Sequence, residues 1–192
     1  MTDPDRGMAG RAQSGDRQAL VELYERHKAR LLGFLVKTCG NLQQAEDAFQ
    51  EVWVKVMGAI GGYDPGRSTF RAWLYRIARN TAIDLHRREA RRRGPDLDAP
   101  VGDDGVTAID FVPSTAPGPD STAERARVVD AVQSAIDRLD ERRRTAVLLR
   151  HQQGLTYSEI ASVLEVPEGT AKTLTYRGIL ALRQELAEWF DE

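Results

Sequence analysis

One cysteine, Cys39, stands in 192 residues, which excludes an internal disulfide and any Cys-x-x-Cys metal site. Histidine is nearly as scarce: His27, His86 and His151 lie far apart, without ligand spacing. The longest apolar run, residues 31–36 with Gly33 inside it, falls far short of the ~20 residues of a membrane span. The opening stretch Met1-Thr2-Asp3-Pro4-Asp5 is polar and acidic, with no apolar signal core behind it. A glycine-rich phosphate loop, an H-E-x-x-H or G-x-S-x-G pattern and a clustered His/carboxylate set are all missing. These absences predict a cytoplasmic chain without membrane insertion, cofactor, metal or visible catalytic chemistry. What is present, 41% hydrophobic and 29% charged residues, suits a soluble fold of one or two domains.

The formal net charge of −2 conceals a segregation. Residues 1–93 carry 17 Lys/Arg against 11 Asp/Glu, whereas residues 94–123 carry six Asp and no cation. A basic first half points to a polyanionic partner. The acidic stretch also holds Pro95, Pro100, Pro113, Pro117 and Pro119, five of the eight prolines, so it reads as a flexible linker.

Helical periodicity runs through both flanks of that linker, and the fold class is all-α. Leu20, Leu23, Tyr24, His27, Leu31, Leu35 and Cys39 recur at spacings of three and four, one face of a helix from about Asp16 to Thr38 closed by Gly40. Asn41 and Gln44 resemble a capping box opening a second helix, with Ala45, Ala48, Phe49, Val52, Trp53 and Val56 inward. A third helix spans about Thr69 to Arg93, with Phe70, Trp73, Leu74, Ile77, Ala78, Thr81 and Leu85 inward. Beyond the linker, helices are expected over about Thr122 to Leu139 and Glu141 to Gln153. A short helix, Tyr157 to Leu164, then a tight turn and a helix from about Thr170 to Trp189 form a helix-turn-helix pattern. The domains are thus an N-terminal extension at 1–16, a helical bundle at 17–93, a linker at 94–122 and a helix-turn-helix domain at 123–192.

Three constellations could carry function. On the third helix Arg76, Asn80, Ile83 and Arg87 share a stripe beside the buried face, and residues 67–93 hold nine arginines, Arg79 among them, against Asp84 and Glu89. Arginines suit phosphates, an asparagine amide can read a base edge, and the loop aromatic Tyr63 could stack on an unpaired base. A solvated arginine-rich face is the alternative. On the second helix Asp47, Gln50 and Glu51 make an acidic outer face suited to a basic partner, though spacing alone equally describes a solvated surface. On the last helix Thr170, Lys172, Thr173, Tyr176 and Arg177 present a face suited to the major groove. A helix-turn-helix that binds protein stays open there.

The run Gln44-Ala45-Glu46-Asp47-Ala48-Phe49-Gln50-Glu51-Val52-Trp53 resembles the region-two helix of bacterial extracytoplasmic-function (ECF) sigma factors. The run from Phe70 to Asp84 resembles that family's promoter-melting helix. Leu155 to Ala161 and Pro167 to Lys172 resemble its region-four helix-turn-helix. The resemblance covers about Arg17 to Arg93 and Ala123 to Leu186. It implies a dissociable initiation subunit of RNA polymerase, monomeric when free and not itself an enzyme. Its partners would be core RNA polymerase, promoter DNA and an anti-sigma factor. Asp47, Gln50 and Glu51 would dock on the polymerase clamp. Tyr63, Arg76, Arg79, Asn80, Ile83 and Arg87 would serve the minus-ten element, with Asn80 in a base pocket. Thr170, Lys172, Thr173, Tyr176 and Arg177 would read the minus-thirty-five element. The acidic linker would thread the polymerase channels.

The last helix departs from the family pattern. Leu174 stands where an arginine is usual, Thr175 where a core leucine is usual, and Ile179 where members tend to carry arginine. Fewer cations imply a weaker, less salt-dependent grip on DNA. From the residues alone, a stand-alone operator-binding regulator, a protein-interaction adaptor and a nucleic-acid enzyme remain alternatives.

Overall fold

The computed structural model of the protein describes residues 3–93 and 119–187, and every regular element among them is a helix. The acidic stretch 94–118 and Trp189 lie outside the described residues.

In the first unit, α1 (Arg6–Gln13) precedes α2 (Arg17–Cys39), α3 (Leu42–Ala59) and α4 (Phe70–Arg93). Asp16 caps α2 by accepting from the amides of Gln18 and Ala19, and Gly40, at φ +81°, ends it in the left-handed conformation that glycine adopts without strain. Asn41 caps α3 through the Gln44 amide. The Gln44 side chain does not complete a capping box; it donates to Glu89 on α4 and ties the two helices together. The core is Leu23, Leu31, Phe34 and Leu35 of α2, Ala48, Val52 and Val56 of α3, and Phe70, Leu74 and Ala78 of α4, each fully buried. Helix α1 was not evident from the sequence. It lies on α2 and on the 3-10 turn Ile60–Gly62, through the small residues Ala9 and Ala12.

In the second unit, α5 (Pro119–Asp137) leads to α6 (Glu141–Val147), α7 (Tyr157–Leu164) and α8 (Glu168–Glu185). The single helix expected over Glu141 to Gln153 is instead α6 followed by a π-helical turn, Leu148–Gln152, with the Gln153 amide donating to the Leu148 carbonyl at 3.1 Å. Thr156 and Glu159 form the expected reciprocal capping box of α7. Glu165, at φ +55°, turns the chain, and α8 starts at Glu168, two residues earlier than the pattern suggested. Gly178 lets α6 and α8 approach closely: a Cβ there would stand 2.5 Å from Val147 Cγ2 and 3.4 Å from the Arg143 carbonyl oxygen.

The two units are packed together, α4 against α7. Beside the side its apolar spacing announces, α4 also buries Ala72 and Tyr75, the Tyr75 ring lying edge-on to Phe34 of α2 with centroids 5.2 Å apart. At this seam Tyr75 Oη donates to Gln153 Oε1 at 2.6 Å, and Gln153 Nε2 donates to the Arg30 carbonyl at 3.3 Å. Arg71 donates to the Gln153 carbonyl at 2.5 Å, and Thr69 Oγ1 donates to Glu159 Oε1 at 2.7 Å.

Candidate nucleic-acid and polymerase interface

The N-terminus of α4 and the loop before it build a concave part of the arginine-rich surface. Thr69 Oγ1 accepts from the Ala72 amide at 3.3 Å and the Asp3 carboxylate accepts from the Phe70 amide at 2.8 Å, so two of the helix's orphan donors are met. Asp64 folds the loop on itself, accepting from the Gly66 amide through its side chain and from the Arg67 amide through its carbonyl. Between this loop and the helix lies a cavity of about 150 Å³ lined by Gly62, Asp64, Arg67, Ser68, Trp73 and Arg76, and by Ser162 of α7. Its donors and carboxylate, beside an indole, could hold a planar polar ring such as a base.

Tyr63 does not project for stacking, as the loop composition had suggested. Its ring is 3% exposed, packed edge-on to Phe70 and tilted against Trp73, with centroids 5.9 and 5.4 Å away. Burial, with Asp3 beside it, pushes the phenol above its ordinary pKa. Of the expected stripe, Arg76 reaches the cavity, whereas Asn80 is exposed one turn further along and is not among the lining residues. Ile83 is half-buried and Arg87 exposed. Arg79 is already engaged: Nε and Nη2 lie 2.8 and 3.2 Å from the two carboxylate oxygens of Glu141, a bidentate pair across the seam.

On α3, Asp47 and Gln50 are exposed and Glu51 is half-buried. Glu51 is paired with Lys55 at 2.8 Å and with Arg88 at 3.3 Å, and these cations, Lys55 foremost, hold its carboxyl below the ordinary value. The same outer stripe continues into Val54 and Met57, 63% and 57% exposed, an apolar extension that sequence reasoning missed because helical spacing alone leaves single exposed hydrophobes unremarked.

On α8, Thr170, Lys172, Thr173, Tyr176 and Arg177 are all exposed and share one side. Lys172 pairs with Glu168 at 3.0 Å and sits 5.8 Å from the centre of the Tyr157 ring. The unusual residues behind this face have packing roles. Leu174 is half-buried against the core, and Thr175 is buried with its hydroxyl donating to the Ala171 carbonyl at 2.9 Å.

Residues 23–92 match the family model described as Sigma-70 region 2, and residues 130–182 match Sigma-70, region 4. The chain is 33% identical to the RNA polymerase sigma-H factor of Pseudomonas aeruginosa over 184 residues, covering 96% of this chain and 94% of that one. It belongs to the sigma-70 family of RNA polymerase sigma factors. Within that family its curated relatives include ECF factors: SigW of Bacillus subtilis, 31% identical over 92% of this chain and 93% of SigW, and SigE of Mycolicibacterium smegmatis, 34% identical over 100% and 72%. The solved structure of CnrH in complex with the cytosolic domain of CnrY is similar at 26% identity and TM-score 0.68, covering 97% of this chain and 99% of that chain. This ECF sigma factor therefore acts in promoter-specific transcription initiation. Among the described residues, no helix is long and apolar enough to cross a membrane.

Two features of this sigma factor lie beyond reach of the sequence patterns. Gln153, 4% exposed, organises the seam from a π turn, and no periodicity marks it. Asp3 caps α4 across 67 residues of chain, a contact that only the folded N-terminus creates.

Proposed function

We propose that the first unit reads and opens the minus-ten element, that α3 docks on the clamp of core RNA polymerase, and that α8 reads the minus-thirty-five element. The observation that carries the minus-ten reading is the cavity bounded by the 62–68 loop, Trp73 and Arg76, at the foot of a helix whose exposed side is rich in arginine. A base turned out of the stack would enter that cavity, and Arg76 at its rim would hold the adjoining phosphate or the base edge. Asn80 and Arg87 would track the strand beyond it. Asp47, Gln50 and Glu51, continued by Val54 and Met57, offer the polymerase an acidic edge beside an apolar one. The chain acts in the cytoplasm without catalytic residues of its own.

The docked arrangement of the two units is then the resting state. Arg79 and Arg71 are spent on Glu141 and Gln153, and Ser162 of α7 lines the cavity, so moving the second unit away would free both arginines and open the cavity on that side. The similarity to CnrH, solved in complex with the cytosolic domain of CnrY, supports a protein partner for this chain, which we read as an anti-sigma factor. Competition binding by holoenzyme of single-stranded minus-ten oligonucleotides, substituted one base at a time, tests the reading. Arg76→Ala is expected to lose discrimination at one position by ~1–3 kcal/mol, while Arg87→Ala weakens all oligonucleotides alike and flattens the salt dependence. Uniform losses for Arg76→Ala would move base reading away from this cavity.

A further inference from the structure

We infer that the N-terminal arm, residues 3–13, sets base preference from a distance, with Asp3 and Gln13 as positioning residues for the loop that lines the cavity. The inference rests on the minus-ten reading proposed above and extends it to residues that would touch no DNA.

Between Gly61 and Arg67 the Tyr63 ring is the one buried side chain, so the loop's placement on α4 depends on that ring. The arm grips Tyr63 at both ends. Gln13 Nε2 donates to its carbonyl at 2.5 Å, and its hydroxyl lies 3.3 Å from Asp3 Oδ2 and 3.0 Å from the Ser68 carbonyl, which share its single proton. The same Asp3 oxygen accepts from the Phe70 amide at 2.8 Å. One carboxylate therefore joins the start of the loop to the first residue of α4, and the cavity is lined by their neighbours, Gly62, Asp64 and Ser68 on the loop and Trp73 and Arg76 on the helix. Its negative charge also suits the positive end of the helix.

The arm is anchored rather than draped. Asp3 Oδ1 accepts from the Asp5 amide at 3.0 Å, and Asp5, 1% exposed, meets His27 of α2 at 2.9 Å and Arg26 at 3.3 Å. Further along the arm Ala9 and Ala12 are buried while Arg6, Gly7, Gly10 and Arg11 stay exposed. A loop held through one aromatic pin transmits any slack at the pin directly to Gly62, Asp64 and Ser68 on the cavity wall.

The test uses holoenzyme reconstituted from core RNA polymerase and the full chain, on promoters substituted singly in the minus-ten element. Asp3→Ala is expected to reduce the ratio of preferred to substituted template about fivefold to tenfold at the cavity position, the effect of losing one hydrogen-bonded anchor. Core binding should stay within about twofold of wild type. Asp3→Asn, which keeps an accepting oxygen, should retain most of the ratio, and Gln13→Ala should lower it at the same position. Arg76→Ala separates the two levels. If it loses discrimination while Asp3→Ala and Gln13→Ala lower every template equally, the arm is only structural and this inference falls while the cavity reading stands. If none of the three changes the ratio, the cavity reading fails and takes this inference with it.

Discussion

The Tyr75–Gln153 contact lets the seam between the two units be weighed. Tyr75 is 1% exposed and Gln153 4%, so neither group has water as a substitute partner. Tyr75→Phe removes the hydroxyl and leaves Gln153 Oε1 without its 2.6 Å donor, a cost of ~1–3 kcal/mol. Gln153→Ala removes both side-chain bonds of the amide and orphans Tyr75 Oη, with a similar cost plus the space it vacates. In the double variant each partner's absence spares the other the orphaned group, so the costs should fall short of additive by ~1 kcal/mol. Urea unfolding followed by tryptophan emission suits the measurement, because Trp73 lies by the cavity rim that Ser162 of α7 completes. If the units separate before they unfold, a cost of ~1.4 kcal/mol raises the open fraction tenfold. The radius of gyration should then grow and the factor without polymerase should bind a minus-ten strand more tightly. Strict additivity, with unchanged size and unchanged strand affinity, would refute the view that this hydrogen bond holds the units together and screens α4.

Reversing Asp47 and Glu51 to Lys should reduce core polymerase binding by more than tenfold, read by competition with wild type. The melting midpoint should drop only slightly, since the lost Glu51 pairs with Lys55 and Arg88 are partly solvated and are worth ~0–1 kcal/mol. Gly178→Ala should destabilise the second unit: Ala gains up to ~1 kcal/mol in helix propensity, but its Cβ at 2.5 Å from Val147 Cγ2 costs ~1–3. The urea midpoint of Gly178→Ala with Val147→Ala should exceed the value expected from adding the two. Burial acts to raise the carboxyls of Asp5 and Glu159, yet His27 at the first and the Thr156 and Thr69 bonds at the second bring them below 3.8 and 4.5. A lowered folded value means stability that is present at neutral pH and is lost as pH falls through the folded pKa values, beneath those two figures. Asp5→Asn should therefore be less stable at pH 7 and lose less between pH 5 and about pH 2; parallel unfolding curves would exclude it.

Most helices of this factor are legible because their signals are local. Asp16, Gly40 and Asn41 punctuate α2 and α3, and the Thr156–Glu159 box opens α7, each within three or four residues of what it caps or ends. Helix α1 escaped because Gly7, Gly10, Ala9 and Ala12 give almost no apolar contrast, although the two alanines are buried. Tyr75 is not marked by the apolar spacing of α4: its ring packs edge-on to Phe34 of α2, and the partner that satisfies its hydroxyl comes from 78 residues away. Tyr63 looked like a loop aromatic available to a base, since its neighbours are glycines and polar residues. Its true surroundings, Phe70, Trp73 and the Asp3 carboxylate, are assembled only by the fold. Leu174 and Thr175 read as lost DNA contacts or lost core until their half-buried and buried places behind the exposed face were known.

The π turn at Leu148–Gln152 amounts to one residue inserted into an α-helical register, and insertions of this kind are reversible by deletion. Removing one residue within it would let α6 continue as an ordinary helix and rotate everything after it by about 100° around the helix axis. Gln153 would swing off Tyr75 and Arg30, and the Leu155 amide would lose its bond to the Leu149 carbonyl. The helix-turn-helix beyond Thr156 carries its own capping box, yet α8 is also seated on α6 where Gly178 meets Val147 and Arg143, so the rotation would pull that packing apart as well. A single codon at this turn thus sets two things at once, how α8 seats on α6 and where Gln153 meets the first unit, so the internal packing of the second unit and the closed seam share one register.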